Sequence, residues 1–277
     1  MEIWKSVILG VVEGITEFLP VSSTGHLTIA ETLLGEKVDN AGITAYTAII
    51  QIGAILAAIA FFRRDILRFV LGFFRGLMSS EARRSQDWRM ALFVIVGSAP
   101  IAVVGLAAKP LIEGSLRSLW VVAGALILWS GVMYFAESAA TQRRGEEQLS
   151  WRDVIFVGVA QCFALIPGVS RSGATISAGL LRDLDRLTAT RLSFFLGIPA
   201  LTAAGVLEAL SHRHEISGSG GVGWPAIGVG TAVSFVVAYA SIAWLLRFVV
   251  RHSIAVFVWY RVLLGLALLG GLAAGVL

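Results

Sequence analysis

Six stretches, at about residues 43–62, 89–108, 118–137, 188–210, 225–246 and 254–277, run for roughly twenty residues almost without charge. That length matches the hydrocarbon thickness of a bilayer. In lipid the backbone N–H and C=O groups can be satisfied only within helices or a closed barrel. Unbroken apolar runs, rather than alternating ones, select helices. The expected fold class is therefore an all-α polytopic membrane protein with about six transmembrane helices, a single integral membrane domain over 1–277. Only 14% of residues are charged, against about a quarter in soluble domains. The single cysteine, Cys162, excludes an internal disulfide, and nothing in the pattern suggests nucleic-acid binding. No cleavable signal peptide is expected, because the first apolar run carries Glu13 and Glu17 and lacks a small-residue cleavage site.

Two further apolar regions are interrupted. Residues 3–19 are followed by Pro20 and a short run at 24–34, and residues 154–166 by Pro167–Gly168 and a run at 172–182. A proline ends a helix, and each arm is too short to cross a bilayer, so each pair reads as a re-entrant helical hairpin. The hairpins match at an offset of 148: Gly10 with Gly158, Val11 with Val159, Glu13 with Gln161, Val21 with Val169, Ser22 with Ser170 and Gly25 with Gly173. Three spans separate them, so the copies have opposite topology. The chain reads as an inverted-topology repeat, about 1–137 and 150–277, with the charged loop 138–153 between the halves. Such repeats with broken helices place a site near the bilayer middle.

Basic residues set the expected orientation. With the ends of the first, third and fifth spans in the cytoplasm, fifteen of the 22 Lys and Arg fall on that side, seven of them within 63–89. Lys5, Lys37, Lys109, Arg117 and Arg213 fall outside, while Arg171 and Arg261 lie within apolar sequence. The first hairpin then enters from outside and the second from the cytoplasm.

Chemistry concentrates in the hairpins. The first gathers Glu13, Glu17, Ser22, Ser23, Thr24 and His26 around its break, a costly set to bury in lipid. Glu13 and Glu17 share a helix face and repel unless a cation or proton lies between them. The second hairpin reads Ser170-Arg171-Ser172-Gly173-Ala174-Thr175 at a helix start, an oxyanion cradle in which backbone N–H groups and a guanidinium grip phosphate. Set tip to tip, carboxylates beside a phosphate call for a bridging Mg²⁺ or Ca²⁺, and the combination points to metal-assisted phosphoryl transfer. Either Ser23 or His26 could attack, with the other, or a glutamate, moving the proton. Arg261, seven residues into the sixth span, is about 10 Å deep and calls for an anionic partner, unless it snorkels to the cytoplasmic edge. Gln51 and Tyr46 read first as interhelical hydrogen-bond residues and second as lining the site, and Glu208 as interfacial. His212, His214 and His252 lie in or beside loops, so the histidines form no metal cluster.

The motifs Gly10-Val-Val-Glu13-Gly-Ile-Thr-Glu17-Phe-Leu-Pro-Val-Ser22-Ser23-Thr-Gly-His26 and Pro167-Gly168-Val-Ser170-Arg171-Ser172-Gly173-Ala-Thr175 resemble those of bacterial undecaprenyl-diphosphate phosphatases, the bacitracin-resistance family. The resemblance covers the whole chain and departs at no polar motif position. It implies hydrolysis of undecaprenyl diphosphate to undecaprenyl phosphate, recycling the lipid carrier for peptidoglycan and other envelope polymers. It also implies a divalent cation, the bacterial cytoplasmic (inner) membrane, and a site opening to the extracytoplasmic side. By motif match, Glu13 and Glu17 would be the metal-linked pair, and Ser23 and His26 the nucleophile and acid/base candidates. Ser22, Ser170, Arg171, Ser172, Gly173 and Thr175 would hold the diphosphate, with Arg261 in the family's last-helix Tyr-Arg pair. The prenyl tail would lie between helices among membrane lipids. A homodimer is left open. The alternative function is an inverted-repeat secondary transporter or lipid-carrier flippase, which would not need the serine–histidine–glutamate set.

Overall fold

The computed structural model describes residues 1–36, 41–108, 110–111, 116, 118–211 and 223–275. Lys37, Lys109, Arg117, His212, Arg213, His214, the loop 217–222 and the side chain of Glu208 lie outside them. The described helices are α1 (Ile3–Thr16), α2 (Ser23–Leu33), α3 (Ala41–Phe61), α4 (Arg63–Met78), α5 (Gln86–Ala107), α6 (Leu119–Ala139), α7 (Trp151–Gln161), α8 (Arg171–Leu181), α9 (Arg186–Ser211), α10 (Trp224–Arg251) and α11 (Ala255–Ala273). Among the described residues the one β contact is an isolated bridge between Arg144 and Leu184.

Six of these helices, α3, α5, α6, α9, α10 and α11, are long and apolar enough to cross a membrane. They coincide with the six runs read from sequence, and the chain is a multi-pass all-α membrane protein. The basic segment after the first span folds as α4. Its Phe69, Gly72 and Gly76 are buried, the glycines against Asp87 and Trp88, while Leu67, Leu71 and Phe74 stay exposed. An apolar outer face bordered by Arg64, Arg68 and Arg75 suits a helix lying in the membrane interface.

The first arm of each hairpin packs on a span from the other half: α1 on α10, and α7 on α5. Glycines permit this. A Cβ on Gly10 or Gly14 would meet the backbone of Gly230 or Ser234, and one on Gly158 would meet that of Gly97. Without a hydrophobic drive between helices in lipid, such close backbone approach is the main source of packing energy. Phe18, Phe62, Phe194 and Phe195 fill the centre in edge-on and tilted contacts at 5.1–5.8 Å.

The charged loop 138–153 is tied down at the base of the second hairpin. Asp153 is fully buried, receiving Arg144 at 2.5 Å and Arg182 at 2.9 Å, and it caps its own helix through Ser150. Burial alone would raise the Asp153 pKa, but the hydrogen bonds from Arg144, Ser150 and Arg182 outweigh it and hold the carboxyl below its usual range. Arg186 pairs with Glu137, and Arg191 reaches both Glu146 (2.9 Å) and Asp65 (3.2 Å).

Candidate active site

The second arms of the hairpins, α2 and α8, are each 11 residues long and start 148 positions apart. Each is capped by a serine in the same unusual conformation. Ser22 (φ 78°) accepts from the Gly25 N–H, and Ser170 (φ 75°) from the Gly173 N–H. A non-glycine residue at such φ costs about 1–3 kcal/mol, a strain that clusters at functional sites. The positive φ turns the chain so abruptly that both helix N-termini, with their unshared N–H groups, are presented at the hairpin tips.

The tips touch. The Ser172 hydroxyl donates to the Leu19 carbonyl at 2.9 Å, and Arg171 Nη2 donates to the Glu17 carbonyl at 3.4 Å while standing 3.5 Å from Glu17 Oε1. Arg261, fully buried, bonds both tips at equivalent carbonyls, Gly168 at 2.9 Å and Pro20 at 3.4 Å. Its remaining donors reach Ser130 Oγ at 3.2 Å and the Leu126 carbonyl at 3.4 Å on α6. The anionic partner expected for this arginine is therefore replaced, among the described residues, by neutral oxygens. Arg261 lines neither of the cavities at the tips. Snorkelling is likewise not what it does.

Glu17 organises the reactive groups. Its Oε2 accepts the Ser23 hydroxyl at 2.7 Å and the Gln51 amide at 3.3 Å. Arg171 is aimed by three supports. Nη1 donates to the Ser193 carbonyl at 3.0 Å, the guanidinium lies 5.7 Å over the Phe18 ring, and Thr175 bridges the Arg171 carbonyl and Ser193 Oγ. Arg171 Nε remains buried without a partner. Sequence reasoning missed Ser193 and Gly197, one helical turn apart in α9. A side chain at Gly197 would collide with the guanidinium. The only signal was a serine and a glycine on one face of a span.

His26 stands apart from Ser23's partner. Nδ1 donates to the Ser22 carbonyl at 2.7 Å, which leaves Nε2 to accept from the Tyr260 hydroxyl at 2.6 Å, with the two rings stacked at 5.5 Å. Tyr260 entered the sequence reading only as the first half of the last-helix Tyr-Arg pair, with no role of its own. Tyr46 is a packing residue, bonded to Ser6 at 2.6 Å, whereas Gln51 lines the site.

Two cavities share Ser23, Thr24, Gln51 and Pro167. One, of about 350 Å³, mixes carboxylates and hydroxyls with apolar wall and runs between α2 and α3 past Glu13. The other, of about 360 Å³, opens between α5 and α9 over Ile101, Ala102, Leu106 and Leu201, and reaches Ser170 and Arg171. Glu13 is 1% exposed, and its carboxyl is set against that of Glu17 with no N–H or O–H donor on either oxygen. A bare carboxylate in that position requires a cation or a proton. No three His, Cys, Asp or Glu side chains converge among the described residues. The residues thus fit a hard divalent cation that keeps water or phosphate oxygens as its other ligands, as Mg²⁺ does.

A family model described as "Bacitracin resistance protein BacA" matches residues 6–267. The chain belongs to the BacA family. Relatives in this family include "Undecaprenyl-diphosphatase 3" of Frankia casuarinae, 55% identical over 276 residues, covering all of this chain and 99% of the relative. "Undecaprenyl-diphosphatase 1" of Streptomyces coelicolor is 54% identical over 278 residues, covering all of this chain and 98% of the relative. "Undecaprenyl-diphosphatase" of Mycobacterium ulcerans is 45% identical over 275 residues, covering 99% and 98%. BacA-family membership thus extends over both hairpins and every span.

Proposed function

We propose that this chain hydrolyses undecaprenyl diphosphate to undecaprenyl phosphate and inorganic phosphate, and confers the bacitracin resistance that the family's description names. The observation that carries the reading is the Ser23 hydroxyl on the Glu17 carboxylate, facing Arg171 where the two helix N-termini meet. In this reading Ser23 Oγ attacks the terminal phosphorus as its proton passes to Glu17. The bond to the bridging oxygen breaks and undecaprenyl phosphate leaves. Glu17 gives that proton to the departing lipid phosphate; water then attacks the phosphoserine with its own proton passing to Glu17, which returns it to Ser23 Oγ as the Ser23 O–P bond breaks and inorganic phosphate departs. Arg171, which lines the lateral cavity beside Glu17, and the N–H groups of α2 and α8 neutralise charge as it develops on the phosphoryl oxygens. Ser22, Ser170, Ser172, Gly173 and Thr175 shape that cradle rather than react. His26, bonded away from Ser23, positions the start of α2.

Glu13 would hold a divalent cation, Mg²⁺ or Ca²⁺, which when bound offsets the negative charge of the diphosphate. The lateral cavity between α5 and α9 suits the first isoprene units, since it joins apolar walls to the anion cradle. The distribution of arginines supports a site opening to the outer face of the bacterial cytoplasmic membrane. There the activity would recycle the lipid carrier for cell-wall synthesis. Transport alone would require no hydroxyl held on a carboxylate, so the phosphatase reading stands over a flippase.

The test is phosphate release from undecaprenyl diphosphate by the purified full chain in detergent. Release is expected, is expected to stop with chelator, and is expected to fall about 10³-fold in Glu17→Gln. A loss under tenfold in Glu17→Gln would refute the assignment of the base.

A further inference from the structure

We propose that α4 is a docking surface for anionic phospholipid, in which Arg64 and Arg75 hold the headgroups of the leaflet beside it while its apolar face enters the acyl chains.

α4 is set across one end of the helix bundle. It starts at Arg63, directly after the first span ends at Phe61, and a short turn over Ala82–Arg84 then leads into α5 at Gln86. Both of its ends therefore join span ends on one face. The loop 138–153 lies on the same face, because Arg191 reaches both Asp65 and Glu146 and Arg89 donates to the Glu147 carbonyl. On α5 it meets the first turn of the span: Gly72 packs on Asp87, Gly76 on Trp88, and Phe73 stacks on Trp88 at 5.4 Å. That places α4 at the level where hydrocarbon gives way to headgroups.

At 3.6 residues per turn, its 16 residues divide into three sectors. Phe69, Gly72 and Gly76 face the protein. Leu67, Val70, Leu71, Phe74, Leu77 and Met78 form an apolar sector, and all six are exposed. Arg64, Arg68 and Arg75 run in one row along the border between those sectors, and all three are exposed. A helix so divided sinks its apolar sector among acyl chains and keeps the adjoining cations at headgroup depth.

The row carries charge that the chain does not neutralise. Asp87 takes Arg68 at 2.7 Å, and Asp65 is shared between Arg191 at 3.2 Å and Arg68 at 3.6 Å. Arg64 and Arg75 make no ion pair among the described residues. Arg64 also stands in the first turn of α4, where the helix dipole disfavours a cation, and four residues from Arg68, where like charges repel. A phosphate at the row relieves both, and each free guanidinium can grip it through parallel N–H bonds. A zwitterionic headgroup brings its own cation to the row, whereas an anionic one does not. Free phosphate would satisfy the arginines and leave the apolar sector unused, so the two sectors together select a lipid.

The experiment uses the delipidated full chain in detergent, titrated with dioleoyl phosphatidylglycerol or dioleoyl phosphatidylcholine. Native mass spectrometry counts the bound lipid. Wild type is expected to bind phosphatidylglycerol at least about fivefold more tightly than phosphatidylcholine, and Arg64→Gln/Arg75→Gln to bring the two within about twofold. Arg64→Lys/Arg75→Lys keeps the charge and is expected to keep the preference above about threefold. Equal binding of the two lipids by wild type, or an unchanged preference in the double Gln variant, would overturn the proposal. So would loss of the preference in Arg247→Gln/Arg251→Gln, two exposed arginines at the end of α10, with Arg64→Gln/Arg75→Gln unaffected. Displacement of phosphatidylglycerol by an equal concentration of inorganic phosphate would reduce the surface to a free-anion site and also overturn it. Should the arginine variant fail to fold, Leu67→Ser/Phe74→Ser is expected to weaken phosphatidylglycerol binding at least about threefold, and an unchanged affinity there would refute the docking surface.

Discussion

The two hairpins have one backbone and two chemistries. Their second arms start in register, their capping serines share a positive φ, and the carbonyls gripped by Arg261 are equivalent, Pro20 and Gly168. The side chains differ where it matters. Ser23 stands in register with Arg171, Glu13 with Gln161, Glu17 with Leu165 and His26 with Ala174. One copy holds the nucleophile and acids, the other the cation that receives a phosphate. A symmetric pair could not do both, since two acidic tips would repel a diphosphate and two basic tips would leave no base. The difference shows how a duplicated scaffold gains a reaction: the strained turn is kept in both copies and the register-equivalent side chains diverge.

The largest expected effects fall on the register pair at the tips. Ser23→Ala should lower kcat about 10³-fold with little change in folding, because the hydroxyl is small and Glu17 keeps Arg171 and Gln51. Its mate, Arg171→Lys, should cost about 10²-fold in kcat/KM, since an ammonium cannot reproduce the planar fork that reaches Ser193 and Glu17 at once beside the lateral cavity. Steady-state kinetics on both variants test the division of labour. Equal and small losses would mean the hairpins do not differ in role.

Arg261 ties the copies together, and its removal should appear in stability. Arg261→Met would leave the Pro20, Gly168 and Leu126 carbonyls and Ser130 without this donor in a buried place, at about 3 kcal/mol. Thermal unfolding in detergent should show it. A variant as stable as wild type would mean the tips are held by helix packing alone.

Much of this was legible in the sequence for a physical reason: lipid offers the backbone so few alternatives that six apolar runs become six helices. The hairpins were legible because polar groups and prolines interrupt that pattern twice at one offset. Glu17, Ser23 and Arg171 meet as expected from their motifs. The depth of Arg261 was readable but its partners were not, because carbonyl oxygens carry no side-chain signature. Ser193 and Gly197 were missed, and Tyr260 was given no role, since their contacts arise only when spans distant in sequence pack. The pairing of Glu13 with Glu17 as equivalent metal ligands also looked simple from spacing on one helix. In the structure the two carboxyls still face each other, and Glu17 alone also takes Ser23, Gln51 and Arg171.

The bases of the hairpins provide the next contrast. The second is anchored by Asp153, buried under Arg144 and Arg182. Asp153→Asn should cost about 2 kcal/mol, less than breaking a fully enclosed pair, because both arginines keep partial access to water. The sign of its pH dependence follows from a folded-state pKa held below the usual carboxylate range. Its stabilisation is complete well above the unfolded value of about 3.9 and is lost as pH falls, progressively below about pH 5. In Asp153→Asn that part of the acid limb of the unfolding profile should disappear.

The first hairpin is anchored at its base differently, by Lys5 on Glu36 at 2.7 Å with side chains 17% and 20% exposed, and by Ser6 between Tyr46 and the Ala226 carbonyl. A partly solvated pair pays for holding two long side chains and is weakened by salt, so Glu36→Gln should cost no more than about 1 kcal/mol and less at high ionic strength. Unfolding of Glu36→Gln beside Asp153→Asn, at low and high salt, measures the contrast directly. A larger loss from Glu36 than from Asp153 would reverse the order of anchorage and make the acidic hairpin the more firmly rooted of the two. The expected order leaves the reactive hairpin the looser one, able to shift at its base while Arg171 and its supports stay fixed.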